Sequence, residues 1–223
     1  MASEYKFQSR LLELIILDRF LIRKEIRSRQ TQVSGELADI GSGRQPYRNE
    51  LKNIRNYVSI DRKNADIVHD LSEFPYPVSA GAFDWVLCTQ VFDDFPDQAA
   101  FARELHRILT PKGAVILSAS FVWELHDLPD DYGRPSPESL RLLLENNGFV
   151  VVTLELLGNS WVTLGQVINI NLLNIMERRS WWLKAIFPLL LLNSLFFYGL
   201  GSLLPFRRFD NLPLALFLVA RKK

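Results

Sequence analysis

An acid followed by a turn with two glycines is the part of this chain best suited to chemistry. The segment Asp39-Ile40-Gly41-Ser42-Gly43 ends an apolar run. Glycine at such a turn lets the backbone approach a ligand closely and adopt angles that other residues resist. Open α/β sheets bind their ligands at the carboxyl ends of the strands. The segment therefore predicts a small-molecule site at that edge, and a tight turn without a ligand is the alternative interpretation.

A dinucleotide site fits this segment poorly. Its fingerprint has glycines at the first, third and sixth positions, and the pyrophosphate lies on the start of the next helix. Here Pro46 occupies the sixth position, and Asp39 would repel a phosphate. A second acid, Asp61, lies at the tip of the next predicted strand, beside the turn. From there it can accept hydrogen bonds from both hydroxyls of a ribose.

Helical and strand patterns alternate along the chain. An amphipathic helix is predicted from Phe7 to Arg29, a short one from Pro46 to Ile54, one from about Asp97 to Pro111, and one in SPESLRLLLENNGF. The predicted strands are ELADI, NYVSID, ADIVHDL, FDWVLCTQ, GAVILSAS, FVVVTLEL and LPLALFLVARK. Such alternation predicts a largely parallel sheet with helices on both faces. The apolar runs VILS and FVVVTL predict strands that are buried on both sides.

Composition narrows the class of protein. The chain has 223 residues, a net charge of +1 and a single cysteine, Cys88. The charge favours no nucleic-acid partner, and one cysteine in an apolar run predicts a buried thiol in a reducing compartment. The three histidines show no metal-ligand spacing, so no metal site is expected. The N-terminal residues lack the pattern of a secretory signal, which predicts a cytoplasmic protein.

Four segments together resemble the class I S-adenosylmethionine-dependent methyltransferases of the small-molecule type. They are LADIGSGRQPY, YVSIDRKNADIVHDL, FDWVLCTQVFDDFPD and FARELHRILTPKGAVILSAS. The resemblance covers residues 37 to about 157, and the last predicted strand fits the seventh strand of that family. It implies an α/β, Rossmann-like sheet of seven mostly parallel strands with an antiparallel last strand. It also implies S-adenosylmethionine as the cofactor. The third glycine of the family's first motif falls at Gln45, so this copy of the motif is incomplete.

The resemblance assigns cofactor contacts to residues at the ends of the predicted strands. Asp39 and the backbone near Gly41 and Gly43 would hold the methionine part, and Asp61 the ribose. Asp70, with the backbone of Leu71, would meet the adenine amino group. Thr89 and Gln90 would line the other side of the cofactor. The family often has Glu-His after the fourth strand, where this chain has Asp93-Asp94. These two acids are expected to be solvated, because loop acids usually stay exposed.

The loop after the fifth strand holds the candidate catalytic and acceptor-binding residues. Methyl transfer depends mostly on alignment, but an oxygen acceptor gains from losing its proton to a base with a pKa near neutral. His126 is the candidate base, with Asp127 as the group that orients it. Tyr132 and Arg134 are candidate ligands of a polar acceptor. The alternative is a structural loop histidine. We expect O-methylation of a small or lipid-linked, glycan-type acceptor, or else a non-catalytic cofactor-binding or membrane-associated protein on the same fold.

An apolar insertion interrupts the predicted fold. The expected domains are an N-terminal helix (1–30), a methyltransferase domain (31–159 with 211–223) and a helical insertion (160–210). No charged residue occurs from Ala185 to Phe206, a length sufficient for a membrane span. A span would separate the last strand from its sheet, and Pro188, with the polar and glycine residues after it, argues against one straight helix. Two short helices or a re-entrant hairpin are expected, touching the cytoplasmic face of a membrane through residues 181–208. A lid or a dimer surface is the alternative.

Overall fold

The computed structural model describes residues 13–126, 128–176, 180–204 and 212–223, without the side chains of residues 176 and 180–184. The chain divides into two compact units. The larger contains residues 23–120, 125–155 and 216–223. The smaller contains the described parts of 1–22, 121–124 and 156–215.

A seven-stranded sheet forms the framework. Its strands are β1 (Ser34–Ile40), β2 (Asn53–Asp61), β3 (Ile67–Val68), β4 (Phe83–Thr89), β5 (Leu109–Ser120), β6 (Phe149–Leu157) and β7 (Ala215–Lys222). Their spatial order is β3-β2-β1-β4-β5-β7-β6. The pairs β3–β2, β2–β1, β1–β4 and β4–β5 are parallel, and β7 runs antiparallel to β5. The predicted Rossmann-like, mostly parallel sheet with an antiparallel last strand is confirmed.

Burial separates the inner strands from the edge strands. From Gly113 to Ser120 every residue of β5 is buried, as the run VILS predicts. The same prediction for FVVVTL is wrong, because Val150 and Val152 in β6 are about half exposed. Since β7 lies between β5 and β6, β6 is at the edge of the sheet. A strand at the edge lacks the cover that a central strand receives.

Two helices of the larger unit begin at the cap residues that the sequence predicts. The helices of this unit are α1 (Leu17–Ser28), which begins in the smaller unit, α2 (Gln98–Ile108) and α3 (Pro137–Asn146). Asp97 caps α2 by accepting a hydrogen bond from Ala100 N at 2.8 Å. Ser136 caps α3 by accepting one from Ser139 N at 3.2 Å. Satisfying an otherwise unpaired amide fixes where each helix begins.

Three predicted elements differ from the structure. The predicted helix Phe7–Arg29 is interrupted by a turn over 14–16, and its first residues lie outside the described part of the chain. The helix predicted from Pro46 to Ile54 is only a 3₁₀ turn, Arg48–Glu50, because Ile54 already pairs with Gly35 in the sheet. The segment ADIVHDL forms just the two-residue strand β3.

The smaller unit contains two long helices, α4 (Ser160–Met176) and α5 (Ser180–Leu203). The insertion is therefore helical, as expected. The expectation of two short helices within the apolar stretch is wrong, because α5 continues through it for 24 residues with Pro188 inside. Asn193 and Ser194 do not break it, because both hydrogen-bond to residues of α4. Leu214, just before β7, donates its N–H to Leu157 O at 2.8 Å, so the segment returns to the point where it left β6.

The buried carboxylate of Glu50, which follows the glycine turn in the chain, is hydrogen-bonded to two arginines of α1. Glu50 accepts hydrogen bonds from Arg23 Nη1 and Arg27 Nε, both at 2.5 Å. The side chains of Arg23 and Glu50 are about nine-tenths buried. The hydrogen bond from Arg27 is the main reason that the pKa of Glu50 lies below its usual value. The two guanidinium groups therefore favour the ionised carboxylate.

Replacing Glu50 with glutamine should destabilise the protein. The glutamine carbonyl could still accept a hydrogen bond from one arginine, but Arg23 and Arg27 would both lose the negative charge that they face. Breaking a buried ion pair costs about 3 kcal/mol of unfolding free energy. Because the pKa of Glu50 is lowered on folding, its stabilising effect is present above the unfolded pKa and disappears as the pH falls through the folded one. Chemical denaturation of both proteins at neutral and acidic pH measures the difference.

Glu138→Gln is the matched control. Glu138 pairs with Arg141 at 2.5 Å, but both side chains are exposed. Exposed ion pairs contribute roughly 0–1 kcal/mol. Equal losses in the two variants would contradict a special role for Glu50.

Candidate cofactor and acceptor site

Parallel pairing brings the predicted site residues to one edge of the sheet. Ile40 in β1 pairs with Ile60 in β2 and with Cys88 in β4. Asp61 and Thr89 each follow these partners by one residue, so they lie level with Gly41. The turn after β1 is held against β2 because Gly41 N donates to Ile60 O at 2.9 Å. The structure thus brings together the strand ends that the sequence predicted to share one edge.

The two glycines of the turn have different roles. Both have positive φ, +67° at Gly41 and +52° at Gly43. A Cβ on Gly41 would lie 2.4 Å from Val91 Cγ2, so this glycine is required by packing. A Cβ on Gly43 would meet nothing within 4 Å. Gly43 is therefore where the backbone of the turn is open to a ligand. Gln45, which replaces the third glycine, also has a positive φ of +53°.

Asp61 braces this open turn. Its Oδ2 accepts a hydrogen bond from Gly43 N, and its Oδ1 accepts one from Arg62 N, both at 2.6 Å. A carboxylate offers about four acceptor sites, so each oxygen keeps one for a ligand. The side chain thus joins the ends of β1 and β2 and can still accept from a diol.

Asp39 is almost fully buried beneath the turn. The Tyr57 hydroxyl donates a hydrogen bond to Asp39 Oδ2. Burial raises the pKa of Asp39 to about 7, the bond from Tyr57 opposes this shift, and the charge of Asp61 adds to it. The sequence offered one indication of this role, a tyrosine within the predicted strand NYVSID. The pairing of Tyr57 with Leu37 in β1 brings its hydroxyl to Asp39.

The remaining predicted cofactor residues lie in the loops after β3 and β4. Ser72 holds Asp70 Oδ1 through its N–H (3.0 Å) and its Oγ (2.8 Å), and these bonds lower the pKa of Asp70. Leu71 is buried. Gln90 has a positive φ of +55°, and its Oε1 accepts from Ser120 Oγ at 2.9 Å. This bond links the ends of β4 and β5, as Asp61 links those of β1 and β2.

His126 belongs to a cluster of charged groups. Its Nδ1 lies 3.4 Å from Asp131 Oδ2 and 3.3 Å from Arg134 Nη2. Asp127, the predicted orienting acid, lies outside the described residues, and Asp131 lies beside the imidazole. The Arg134 guanidinium binds Asp131 through two nitrogens and thereby lowers the pKa of Asp131 to about 2. Asp131 is therefore ionised near neutral pH.

The expectation that Asp93 is solvated is wrong. Asp93 is buried, with Arg134 Nη1 at 3.7 Å from its Oδ2. Burial raises the pKa of Asp93 to about 6, and the Arg134 charge opposes that rise. Asp94 is partly buried. The sequence could not show that Arg134, far along the chain, would supply the charge that permits this burial.

A cleft of about 470 Å³ lies beside this cluster. Such a volume suits a small-molecule ligand. Its walls come from the loop after β4, the start of α2, the chain from 132 to 135, and α3. Tyr132 and Arg134, the predicted acceptor ligands, both line it, whereas His126 is not among its lining residues. In this structure the Arg134 guanidinium is engaged by Asp131 and Asp93, so its contribution to acceptor binding stays a prediction.

Comparison with known proteins agrees with this architecture. Residues 38–117 match the family described as "Methyltransferase domain". No curated protein matches the chain in sequence. The fold is similar to three solved structures, each 14–16% identical in sequence. A putative sarcosine dimethylglycine methyltransferase from Galdieria sulphuraria has a TM-score of 0.60 and 15% identity, over 92% of this chain and 86% of that one.

The other two structures differ in function. An S-adenosylmethionine-dependent methyltransferase from Mesorhizobium loti has a TM-score of 0.56 and 14% identity, over 92% of this chain and 100% of that one. The (4+2)-cyclase SpnF has a TM-score of 0.57 and 16% identity, over 90% of this chain and 79% of that one. Residues 38–117 thus match a methyltransferase domain, the fold is that of the class I S-adenosylmethionine-dependent methyltransferases, and S-adenosylmethionine is the cofactor that the match indicates.

Proposed function

We propose that this protein transfers the methyl group of S-adenosylmethionine to an oxygen of a small or lipid-linked, glycan-type acceptor. The observation that carries the methyl-donor part is the open backbone at Gly43, braced by Asp61 and bordered by the buried Asp39. The two acids and the open turn lie at the ends of adjacent strands, which is where this fold binds its ligand.

The residues present fit the cofactor. Asp61 would accept from the ribose hydroxyls, and the Gly43 backbone would lie against the methionine part. Asp39 would face the ammonium group, whose positive charge favours the ionised carboxylate. Ser42 supports this fit, because its buried Oγ has no partner among the described residues. When bound, S-adenosylmethionine supplies a methyl group already activated by its sulfonium.

For the acceptor, the charged cluster supports removal of a proton from oxygen. Asp131, held ionised by Arg134, lies beside His126 Nδ1 and would orient the ring so that it takes the proton of an acceptor hydroxyl. Arg134 pairs with both Asp93 and Asp131 and so connects the loop after β4 to the loop after β5. His126 does not line the cleft beside Tyr132, so we place there a part of the acceptor remote from the reacting oxygen.

A second candidate is a protein that binds the cofactor without transferring its methyl group. The glycine motif is incomplete at Gln45, and Asp93-Asp94 replaces the residues that the family often has. A cyclase with the same fold illustrates that fold alone does not fix the reaction. The two candidates differ in turnover, because both require cofactor binding.

Asp61→Ala should weaken S-adenosylmethionine binding by at least about tenfold, since it removes a charge-assisted acceptor and the brace on Gly43. Isothermal titration calorimetry measures the affinity, and circular dichroism checks the fold. Glu138→Gln, an exposed acid on α3, is the control and should bind as the parent does. Failure of the parent to bind the cofactor would refute the proposed function.

Cofactor affinity should depend on pH through Asp39. Its pKa of about 7 is raised by burial, so below that pH the carboxyl is neutral and attracts the cofactor's ammonium less. Affinity should therefore rise with pH, by up to about tenfold per unit below pH 7, and level off above it. Asp39→Asn should remove the slope.

A ligand control separates this effect from general changes in the protein. 5′-Methylthioadenosine lacks the amino-acid part of the cofactor, so its affinity should stay constant over the same pH range. A slope shared by both ligands, or retained in Asp39→Asn, would show that another group is responsible.

His126→Ala should lower kcat for methyl transfer by about 10²–10⁴-fold while cofactor affinity stays unchanged. Release of S-adenosylhomocysteine is measured with phenolic, sugar and polyprenyl-linked sugar acceptors. Asp131→Asn should lower kcat less and shift the pH profile. Undiminished transfer in His126→Ala would assign the histidine a structural role, and no transfer by the parent to any acceptor would favour the binding protein.

A further inference from the structure

The helices α4 and α5 have an inverted distribution of polarity. Polar side chains are buried between them and their neighbours in the smaller unit: Thr163, Gln166, Asn169 and Ser194 are each at most 2% exposed. Large apolar side chains of α5 lie outside, with exposures of 58–80%: Leu189, Leu192, Leu195, Phe196 and Leu203. A helix of a water-soluble domain has the opposite pattern, with its apolar stripe toward the core.

Amide hydrogen bonds hold the two helices together. Asn169 Nδ2 donates to Ser194 Oγ at 2.8 Å and to Leu190 O at 3.3 Å. Asn193 Nδ2 donates to Gly165 O at 2.8 Å and to Asn169 Oδ1 at 2.9 Å. A Cβ on Gly165 would lie 2.6 Å from Phe197 Cβ, so the small residue permits close approach. Small residues and polar bonds join helices where lipid removes the hydrophobic drive for association.

The exposed apolar residues of α5 form one continuous stripe. Leu189, Leu192, Leu195 and Phe196 recur at the three- and four-residue spacing that keeps side chains on one face. The helix from Ala185 to Leu203 has a mean hydropathy of 1.7, and only 17% of its residues are buried. No charge interrupts the sequence from Ala185 to Phe206. The stripe therefore lacks the charged residues that normally cover a helix exposed to water.

Both ends of this stretch carry groups that suit a membrane surface. In the sequence, Arg178, Arg179 and Lys184 precede it and Arg207 and Arg208 follow it. Trp181 and Trp182 also precede it, and tryptophan concentrates at the level of the headgroups. Basic clusters attract anionic lipid at roughly 1 kcal/mol per residue near the surface. The sequence thus complements a bilayer that carries negative charge.

Topology excludes a single crossing by α5. The chain leaves β6 at Leu157 and returns to β7 after Leu214, and these two residues are hydrogen-bonded to each other. A helix that crossed the bilayer alone would leave these two ends on opposite sides. A helix that lies in the plane of the interface leaves both ends on one side.

We propose that α5 is an in-plane membrane anchor. Its outer stripe of Leu189, Leu192, Leu195, Phe196 and Leu203 enters the boundary between headgroups and acyl chains of an anionic bilayer. The anchor acts without methyl transfer and without bound cofactor. A bilayer is also where a lipid-linked acceptor resides.

Flotation with vesicles tests this anchor on the full-length protein. Vesicles of phosphatidylcholine with about one-third phosphatidylglycerol, an anionic lipid, should carry the protein to the top of a density gradient, and pure phosphatidylcholine should carry less. A Leu192→Glu/Phe196→Glu double variant should float at least about tenfold less, because charge opposes burial in lipid. Both positions are exposed, so thermal melting should be unchanged.

Leu142→Glu is the matched control. Leu142 is an exposed leucine of α3 in the larger unit, 47% exposed, and its substitution should leave flotation unchanged. Equal flotation of the double variant and the parent would overturn the anchor. A dimer surface would also overturn the anchor. In that case the parent would not float but would be a dimer in size-exclusion chromatography with light scattering, and the double variant would be a monomer. Cofactor titration of the double variant keeps this test separate from the proposed function.

Discussion

The parallel pairing of β1 with β2 and β4 is the constraint on which the site depends. It puts Gly41, Asp61 and Thr89 at one level, although they are far apart in the chain. Two further bonds tie this edge together, from Gly43 N to Asp61 and from Ser120 Oγ to Gln90. The turn that would hold the cofactor is therefore part of the sheet's hydrogen-bonded edge rather than a loose loop. Preorganisation of this kind reduces the entropy that binding must overcome.

Buried acids are the main electrostatic cost of this arrangement, and their pKa values differ because their hydrogen-bond partners differ. Among the described residues, the Tyr57 hydroxyl is the hydrogen-bond partner of Asp39, and burial raises the pKa of Asp39 to about 7. Asp131 has a two-pronged arginine, so its pKa falls to about 2. A carboxylate without a cationic partner, lying beside an open turn, suits a ligand that brings its own positive charge. The paired one suits a structural or orienting task.

The two units bury their polar groups for different purposes. In the larger one, Glu50 with its arginines connects α1 to the chain that follows the turn after β1. In the smaller one, asparagine and serine side chains join α4 to α5, and leucines face outward. The same principle of satisfied polar groups operates in both. What differs is the outer surface, because the exposed side of α5 consists of large apolar side chains.

Local patterns in the sequence determined the strand order along the chain, the caps at Asp97 and Ser136, and the positions of the glycine turn and Asp61. These features depend on nearest neighbours along the chain, so the residues themselves specify them. Only tertiary structure decided that β6 would be an exposed edge strand, that Tyr57 would hold Asp39, and that Asp93 would be buried beside Arg134. It also decided that α5 would continue through Pro188 with its leucines outward. Each of these depends on partners distant in sequence, whose approach follows from strand order and helix pairing rather than from local propensity.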